Sequence, residues 1–179
     1  MSQVEDVLTA LPACVAGEVY RLPPEITLVD QLFVELSGEQ PGCVALLALA
    51  DSLLSNLRVW ENLILPACYH RHAHTAQLES RVVDALQLLN IEESVRKPLL
   101  DSLPSGLDIQ RKRELVLARA FIQAPHYVLV EPLWLDWASD LPLWQALAAQ
   151  SVVLIVGGNE GRPLLDVSPL RDQEMQDQT

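Results

Sequence analysis

The sequence has few basic residues and no long hydrophobic run, and both absences exclude classes of function. It has 12 lysines and arginines against 24 aspartates and glutamates, which gives a formal net charge of −12 at pH 7. Because nucleic acids are bound through clusters of Lys and Arg, we expect no nucleic-acid partner. The apolar runs at 44–50 and 151–156 are far shorter than the roughly 20 residues that cross a bilayer. The sequence therefore predicts no membrane-spanning helix.

Cysteine is also scarce. Cys14, Cys43 and Cys68 are widely spaced and form no Cys-x-x-Cys pair, so reduced thiols are the simplest interpretation. The N-terminus, MSQVEDVLTA, is acidic and lacks the basic region and apolar core of a signal peptide, so we expect a cytoplasmic protein. With 179 residues, half of them hydrophobic, the chain is long enough for one domain with its own core.

Hydrophobic patterns predict an α/β domain with a mainly parallel sheet. Apolar runs bounded by turn residues indicate buried strands at 43–50, 127–130 and 151–156. Helical spacing of apolar residues predicts helices over 1–12, 70–91, 109–123 and 137–150. Two extended segments are expected within residues 14–36, and the second of them also fits a helix.

Two stretches carry more specific patterns. Residues 104–120 read PSGLDIQRKRELVLARA, and a short strand then ends in Glu131-Pro132. This order resembles the ATP-binding subunits of ATP-binding cassette (ABC) transporters, in which a P-x-x-LSGGQ-x-QR loop opens a helix ending in ARA and a later strand ends in DEP. The match over 104–120 is ungapped. The second stretch, DSLLSNLRVWENLILP at 51–66, resembles the family pattern LLpnlTVxENvxlP.

The resemblance covers about residues 44–160 and implies an α/β, P-loop-NTPase-like fold with a helical subdomain. The implied organisation is one ABC ATPase-like domain over 1–170, with core strands about 14–50 and 115–165, a helical subdomain about 51–108, and a polar tail at 171–179. Before residue 44 the chain is shorter than the family needs. We therefore expect a truncated member in which the P-loop and its helix are deleted near Ser37–Cys43.

The resemblance predicts that no intact nucleotide site remains. The family's P-loop, GxxxxGK[ST], cradles phosphate, and this sequence contains no Gly-Lys pair. The signature-loop positions carry Leu107, Asp108, Ile109, Gln110 and Arg111. Asp108 would place a carboxylate against phosphate, and Ile109 and Gln110 add side chains where two glycines allow close approach. Alternatively, Asp108 is a good N-cap for the helix that follows.

The catalytic positions of the family are also changed. The glutamine that contacts Mg²⁺ and the attacking water falls on Leu49, and the switch histidine falls on Gly158. Glu131 takes either the Mg²⁺ aspartate or the catalytic glutamate position, and neither register keeps both acids. Glu131 also fits a plain carboxylate at the end of a strand. ATP and Mg²⁺ are the cofactors of the family, but we expect no cofactor and no ATP hydrolysis in this chain.

The family comparison also predicts a partner surface. In the family, the segment that resembles 51–66 lies beside a groove that receives a membrane subunit. Its apolar residues here, the predicted partner contacts, are Leu53, Leu54, Leu57 and Trp60. Core packing is an equal alternative for Trp60. The predicted partners are a membrane permease subunit, an intact ABC ATPase subunit, or both, and a homodimer is a further option.

A histidine cluster, HRHAH, occupies residues 70–74. On a helix His70 and His74 share a face that could bind zinc or nickel, with His72 between them. No third and fourth ligand are visible in the sequence. A solvated helix start is therefore the competing interpretation.

Three functions remain open from the sequence. The first is a degenerate ABC-type subunit without ATPase activity, which acts as scaffold or regulator of a transport complex at the inner face of a membrane. The second is the non-hydrolysing half of an asymmetric ATPase heterodimer whose partner supplies the P-loop. The third is a stand-alone protein-binding module whose site is the histidine cluster or the tryptophans.

Overall fold

The fold is one parallel sheet with helices packed on both faces. The computed structural model describes residues 3–22, 27–48, 53–71, 75–157 and 161–164. Its strands are β1 Val19–Leu22, β2 Val44–Leu47, β3 Tyr127–Val130, β4 Val152–Val156 and β5 Arg162–Pro163. Its helices are α1 Gln3–Ala10, α2 Thr27–Glu39, α3 Val59–Arg71, α4 Thr75–Leu88, α5 Glu93–Asp101, α6 Ile109–Gln123, α7 Pro132–Ala138 and α8 Pro142–Gln150.

The five strands lie in the order β2-β3-β4-β1-β5, and every pairing between them is parallel. Val130 of β3 lies beside Leu47 of β2 on one side and Ile155 of β4 on the other. The carboxyl ends of these strands therefore meet at one edge of the sheet, which is where ligands bind in open α/β folds. The predicted α/β fold with a mainly parallel sheet is confirmed.

Successive residues of the strands belong to two separate hydrophobic clusters, one on each face of the sheet. Val128 and Val130 of β3 pack with helices α3, α4, α6, α7 and α8, whereas Leu129 packs with α1 and α2. This alternation follows from the two-residue period of a strand. Because both faces are covered, the neighbouring strands β2, β3 and β4 carry no charged residue at any position, and all five residues of β4 are buried.

Two helices differ from the prediction. The second extended segment predicted within 14–36 is the helix α2. A helix was the stated alternative there, because polar and apolar residues do not alternate strictly in this segment. The single helix predicted over 137–150 is two helices, α7 and α8, which are separated by residues 139–141. Leu141 is extended and Pro142 takes the first position of α8, where its fixed φ and missing N–H suit a helix start.

The first strand is followed by a short connection and a helix. Only residues 23–26 separate β1 from the 13-residue α2, and strand–loop–helix is the layout that surrounds a P-loop. A helix therefore follows β1 after a short connection, and the deletion of the P-loop stays a prediction. Ser37–Cys43, the predicted place of the deletion, forms the end of α2 and the turn into β2.

Helix α6 crosses the core and is fixed at both ends. At its start, the Asp108 carboxylate accepts a hydrogen bond from the Arg111 backbone N–H at 2.7 Å, so the predicted N-cap is confirmed. At its end, an Arg81 guanidinium N–H donates to the carbonyl of Phe121 at 2.6 Å. Ala124 then closes the helix in the left-handed conformation, with φ 52°.

Substituting Ala124 with glycine is expected to stabilise the protein. A left-handed conformation costs a residue with a Cβ about 1 kcal/mol, and glycine avoids this cost but loses part of the gain through its freer unfolded chain. We expect a net gain of about 0.5 kcal/mol and a rise in melting temperature of about 1–2 °C. The control Ala149→Gly, at an exposed position inside α8, is expected to lower the melting temperature. A lower melting temperature for Ala124→Gly would contradict the conformation of residue 124.

Candidate functional site

A pocket of about 860 Å³ lies beside β2, between α2, α3 and α6. Val44, Ala45 and Leu46 all line it. Because successive side chains of a strand point to opposite faces, three consecutive lining residues place the pocket along the edge of the strand. This edge is the outer one, since β2 lies at one end of the strand order.

The pocket reaches the carboxyl ends of the strands and contains Glu131, the residue that the family comparison placed in the catalytic or Mg²⁺ position. The Glu131 N–H donates to the Leu47 carbonyl at 3.1 Å, which anchors the residue at the end of β3. The positions on either side carry no second acid. Val130 is fully buried in the core, and Pro132 begins α7. The adjacent pair of acids found in the family is therefore not kept at the end of β3.

The pocket wall is mostly apolar, with a few polar groups. Among the lining residues that the structure describes, the charged ones are Asp30, Arg119 and Glu131, so carboxylates outnumber guanidinium groups there. Its uncharged polar side chains are those of Ser37 and Gln123. An anion entering the pocket would lose its hydration and meet more negative than positive charge. The lining thus favours neutral or cationic molecules.

Gln123 is a residue that the sequence did not single out. Its side chain is buried, and its amide nitrogen donates to the Gly42 carbonyl at 3.2 Å and the Val44 carbonyl at 2.7 Å. It thereby joins the end of α6 to the outer edge of β2. A glutamine in the last turn of a helix is usually solvated, so nothing in the sequence pattern indicates this role.

The signature-loop positions form a helix start, and three of their side chains bond to the helix backbone or to residues outside the loop. The Asp108 carboxylate occupies the Arg111 N–H, and the Arg111 guanidinium pairs with Glu114 at 2.6 Å. Gln110 accepts a hydrogen bond from the indole N–H of Trp137 at 3.1 Å. Ile109 is 70% exposed. A helix N-terminus binds phosphate through free N–H groups, and here a carboxylate takes one of them.

The loop that resembles the family segment before α3 is organised by Asn62. This side chain is buried; its oxygen accepts from the Leu54 N–H at 2.7 Å, and its nitrogen donates to the carbonyls of Leu54, Leu57 and Arg58. The preceding Glu61 accepts from the Arg58 N–H at 2.7 Å, which is one half of a capping box. The Glu61-Asn62 pair of the sequence pattern therefore has a structural role, which is to hold this loop and the start of α3.

The predicted partner contacts differ in exposure. Leu53 is buried in the core and so cannot contact a partner at the surface, in contrast to the prediction. Leu54 is 49% exposed. Leu57 is half-buried, and Trp60 packs partly against the core and is partly open. On the same helix as Trp60, Leu65 and Tyr69 are also exposed. Of the four predicted partner contacts, Leu54, Leu57 and Trp60 are thus at least partly exposed.

Several predicted site residues lie outside the described residues: Leu49, His72, His74, Gly158 and the side chain of His70. Across the described residues, no group of three or more His, Cys, Asp and Glu side chains is arranged to hold a metal ion. In the same part of the chain, no helix combines the length and apolar character needed to cross a membrane.

The three cysteines are free, as predicted, and differ in environment. Burial, and next the charge of Glu18, raise the pKa of the half-buried Cys14 to about 11. Cys43 is buried and Cys68 is exposed. We expect Cys68 to react with Ellman's reagent at pH 8 about 100-fold faster than Cys14, because the thiolate is the attacking species. A fast phase that survives Cys68→Ser would contradict this order.

Comparison with known proteins gives a likeness in structure only. No family model and no curated protein matches the sequence. A solved structure described as the ATP-binding subunit of an ABC transporter superposes with a TM-score of 0.57 at 15% identity, over 79% of this chain and 68% of that one. The structure of cbiO1 from Clostridium perfringens, part of the ABC transporter complex cbiONQ, gives 0.56 at 14% identity, over 81% and 69%.

The chain has the fold of ABC-transporter ATP-binding subunits. The resemblance inferred from residues 51–66 and 104–120 is therefore confirmed at the level of the fold. At this identity the likeness does not extend to activity, because one fold carries many functions. The division into core and helical subdomain at 51–108 stays a prediction, although α3, α4 and α5 fall within that range.

Proposed function

We propose that this chain is a non-hydrolysing ABC-type subunit that acts as a scaffold or regulatory subunit of a membrane transport complex. The observation that carries the proposal is the Asp108 carboxylate bonded to the Arg111 N–H, at the helix start where the family grips phosphate. Two further features support it. The four residues between β1 and α2 are Pro-Pro-Glu-Ile, and a proline has no N–H to offer a phosphate. The position before Glu131 is the buried Val130.

The proposed partner is a membrane permease subunit, with or without an intact ABC ATPase subunit. Such a partner would contact the apolar surface around Leu54, Leu57 and Trp60, since apolar and aromatic side chains enrich the centre of protein interfaces. In this role the chain would lie in the cytoplasm, at the inner face of the membrane. The net charge of −12 leaves nucleic acid as an unsuitable partner.

Nucleotide binding is the direct test of the missing phosphate site. A fluorescent ATP analogue with Mg²⁺, titrated against the purified chain, is expected to give no saturable binding up to millimolar concentration. Saturable binding in the micromolar range that unlabelled ATP displaces would refute the proposal.

Partner binding is tested by copurification of the tagged chain with the products of its neighbouring genes. We expect a permease or ATPase subunit to be retained, and Leu54→Asp to abolish the retention. Val95→Asp, at an exposed position of α5, is the matched control and should have no effect. If the complex hydrolyses ATP, Glu131→Gln should leave that rate unchanged. A loss of activity would favour the alternative, in which this chain completes half of an asymmetric ATP site.

A further inference from the structure

The carboxamide of Gln123 gives the pocket beside β2 a fixed polar group. Only 8% of Gln123 is exposed, and its two hydrogen bonds both go to carbonyl oxygens, those of Gly42 and Val44. Carbonyls accept and do not donate, so the nitrogen of the amide must face them. The orientation of the amide is therefore determined, and its oxygen is directed away from the strand. No hydrogen bond from a described residue reaches that oxygen, although Gln123 lines the pocket.

The same two hydrogen bonds make the strand edge a poor site for an added peptide strand. The backbone N–H groups of Tyr127 and Glu131 donate to the carbonyls of Cys43, just before β2, and of Leu47, so the odd-numbered residues here face β3. Val44 and Leu46 therefore face outward, because the ladder of a parallel strand has a two-residue period. Gln123 already occupies the outward carbonyls of Gly42 and Val44, which is one way in which proteins block an edge. The other outward groups of β2 itself are the Val44 N–H and the N–H and carbonyl of Leu46, and Gln123 does not bond to these.

The remaining space has the size and lining of a small-molecule site. Its volume of about 860 Å³ falls in the range of about 300–1,000 Å³ that is usual for ligand pockets. Apolar side chains from α2, α3 and α6, among them Phe33, Pro66 and Val116, line most of it. Among the described lining residues, Asp30 and Glu131 outnumber Arg119, which disfavours anions such as nucleotides.

We propose that this pocket binds an uncharged, mainly apolar organic molecule with one hydrogen-bond donor, which the Gln123 side-chain oxygen accepts. Burial of the apolar part against the aliphatic wall supplies most of the binding free energy, and the donor fixes the orientation. The proposal does not depend on the scaffold role proposed above, because the pocket does not include Leu54, Leu57 or Trp60.

Three matched probes test the chemistry of the ligand. N-phenyl-1-naphthylamine is neutral and apolar, carries one N–H donor, and fluoresces on entering an apolar site. We expect it to bind saturably with one site per chain. Its N-methyl derivative lacks the donor and should bind about fivefold more weakly. Its sulfonated analogue, 8-anilino-1-naphthalenesulfonate, is anionic and should bind at least about tenfold more weakly. Absence of saturable binding, or equal or tighter binding of the sulfonate, would overturn the proposal.

A matched pair of variants tests the location. Ser37 of α2 lines the pocket, and Ser37→Trp should weaken N-phenyl-1-naphthylamine binding about tenfold or more, because the indole fills the space. Glu35→Trp, at an exposed position of the same helix outside the pocket, should leave binding unchanged. Circular dichroism checks that both variants fold, and the probe series on the unmodified chain tests the proposal even if one does not. If Ser37→Trp bound the probe as tightly as the original chain, the probe would lie outside this pocket and the proposal would be overturned. The same conclusion would follow if the probe were released as the protein dimerised at high concentration.

Discussion

Replacing Asn62 with leucine is expected to lower the free energy of unfolding by about 3 kcal/mol. The Asn62 side chain is 1% exposed and forms four hydrogen bonds to the backbone of residues 54–58. Leucine has a similar volume but can neither donate nor accept, so the Leu54 N–H and the Leu57 carbonyl lose this partner. A buried backbone group without a partner costs about 1–3 kcal/mol.

The control for this prediction is Asn56→Leu in the same loop. Asn56 is exposed, so its replacement should change stability by less than about 0.5 kcal/mol. Urea unfolding followed by tryptophan fluorescence measures both variants. We also expect Asn62→Leu to loosen the loop and to weaken any partner bound at Leu54. If the two variants unfolded at the same urea concentration, the loop would not be held by Asn62.

The scaffold of this fold could be predicted from the sequence because it depends on local patterns. Helix α6 begins and ends where the sequence indicates, since Asp108 is a strong N-cap and Ala-Pro breaks the helix at 124–125. The strand at 127–130 was equally clear, because a buried parallel strand is a short apolar run between turn residues. These signals act within a few residues and need no knowledge of the rest of the chain.

The features that the sequence did not reveal depend on contacts between distant segments. Helix α2 was one of two options, because its apolar residues follow neither period strictly, and packing against α1 and β2 decides between them. Gln123 contacts carbonyls about 80 residues away, a distance that no local pattern spans. The pocket beside β2 is likewise formed by residues from six separate segments, and Glu131 was the one candidate site residue from the sequence among its described lining residues.

Val130→Asp is expected to destabilise the protein by about 4 kcal/mol or more at pH 7. This variant restores, before Glu131, the aspartate with which the family's strand ends. Val130 is fully buried in β3, between Leu47 of β2 and Ile155 of β4, and its side chain packs in the larger hydrophobic cluster. A carboxyl group there would be ionised and hydrated in the unfolded chain and dehydrated in the folded one. Because domains of this size have about 5–15 kcal/mol of stability, this change would remove a large part of it.

The pH dependence separates the charge from the loss of packing. Burial should raise the pKa of the introduced carboxyl group in the folded protein above its unfolded value of about 4. The unfolded chain then loses its proton first as pH rises, so the penalty grows from about pH 4 upwards until the folded pKa is reached. Lowering the pH from 7 to about 4 should therefore recover part of the lost stability. Val130→Ala, which loses only packing, should cost about 2 kcal/mol with no such dependence.

Mg²⁺ should stabilise neither variant, because a single added acid cannot replace the missing P-loop. Melting temperatures of both variants, measured with and without Mg²⁺ and ATP, check this expectation. If Val130→Asp were nearly as stable as the original chain and Mg²⁺ with ATP raised its melting temperature, the site would be latent rather than lost. The proposed non-hydrolysing role would then have to be abandoned.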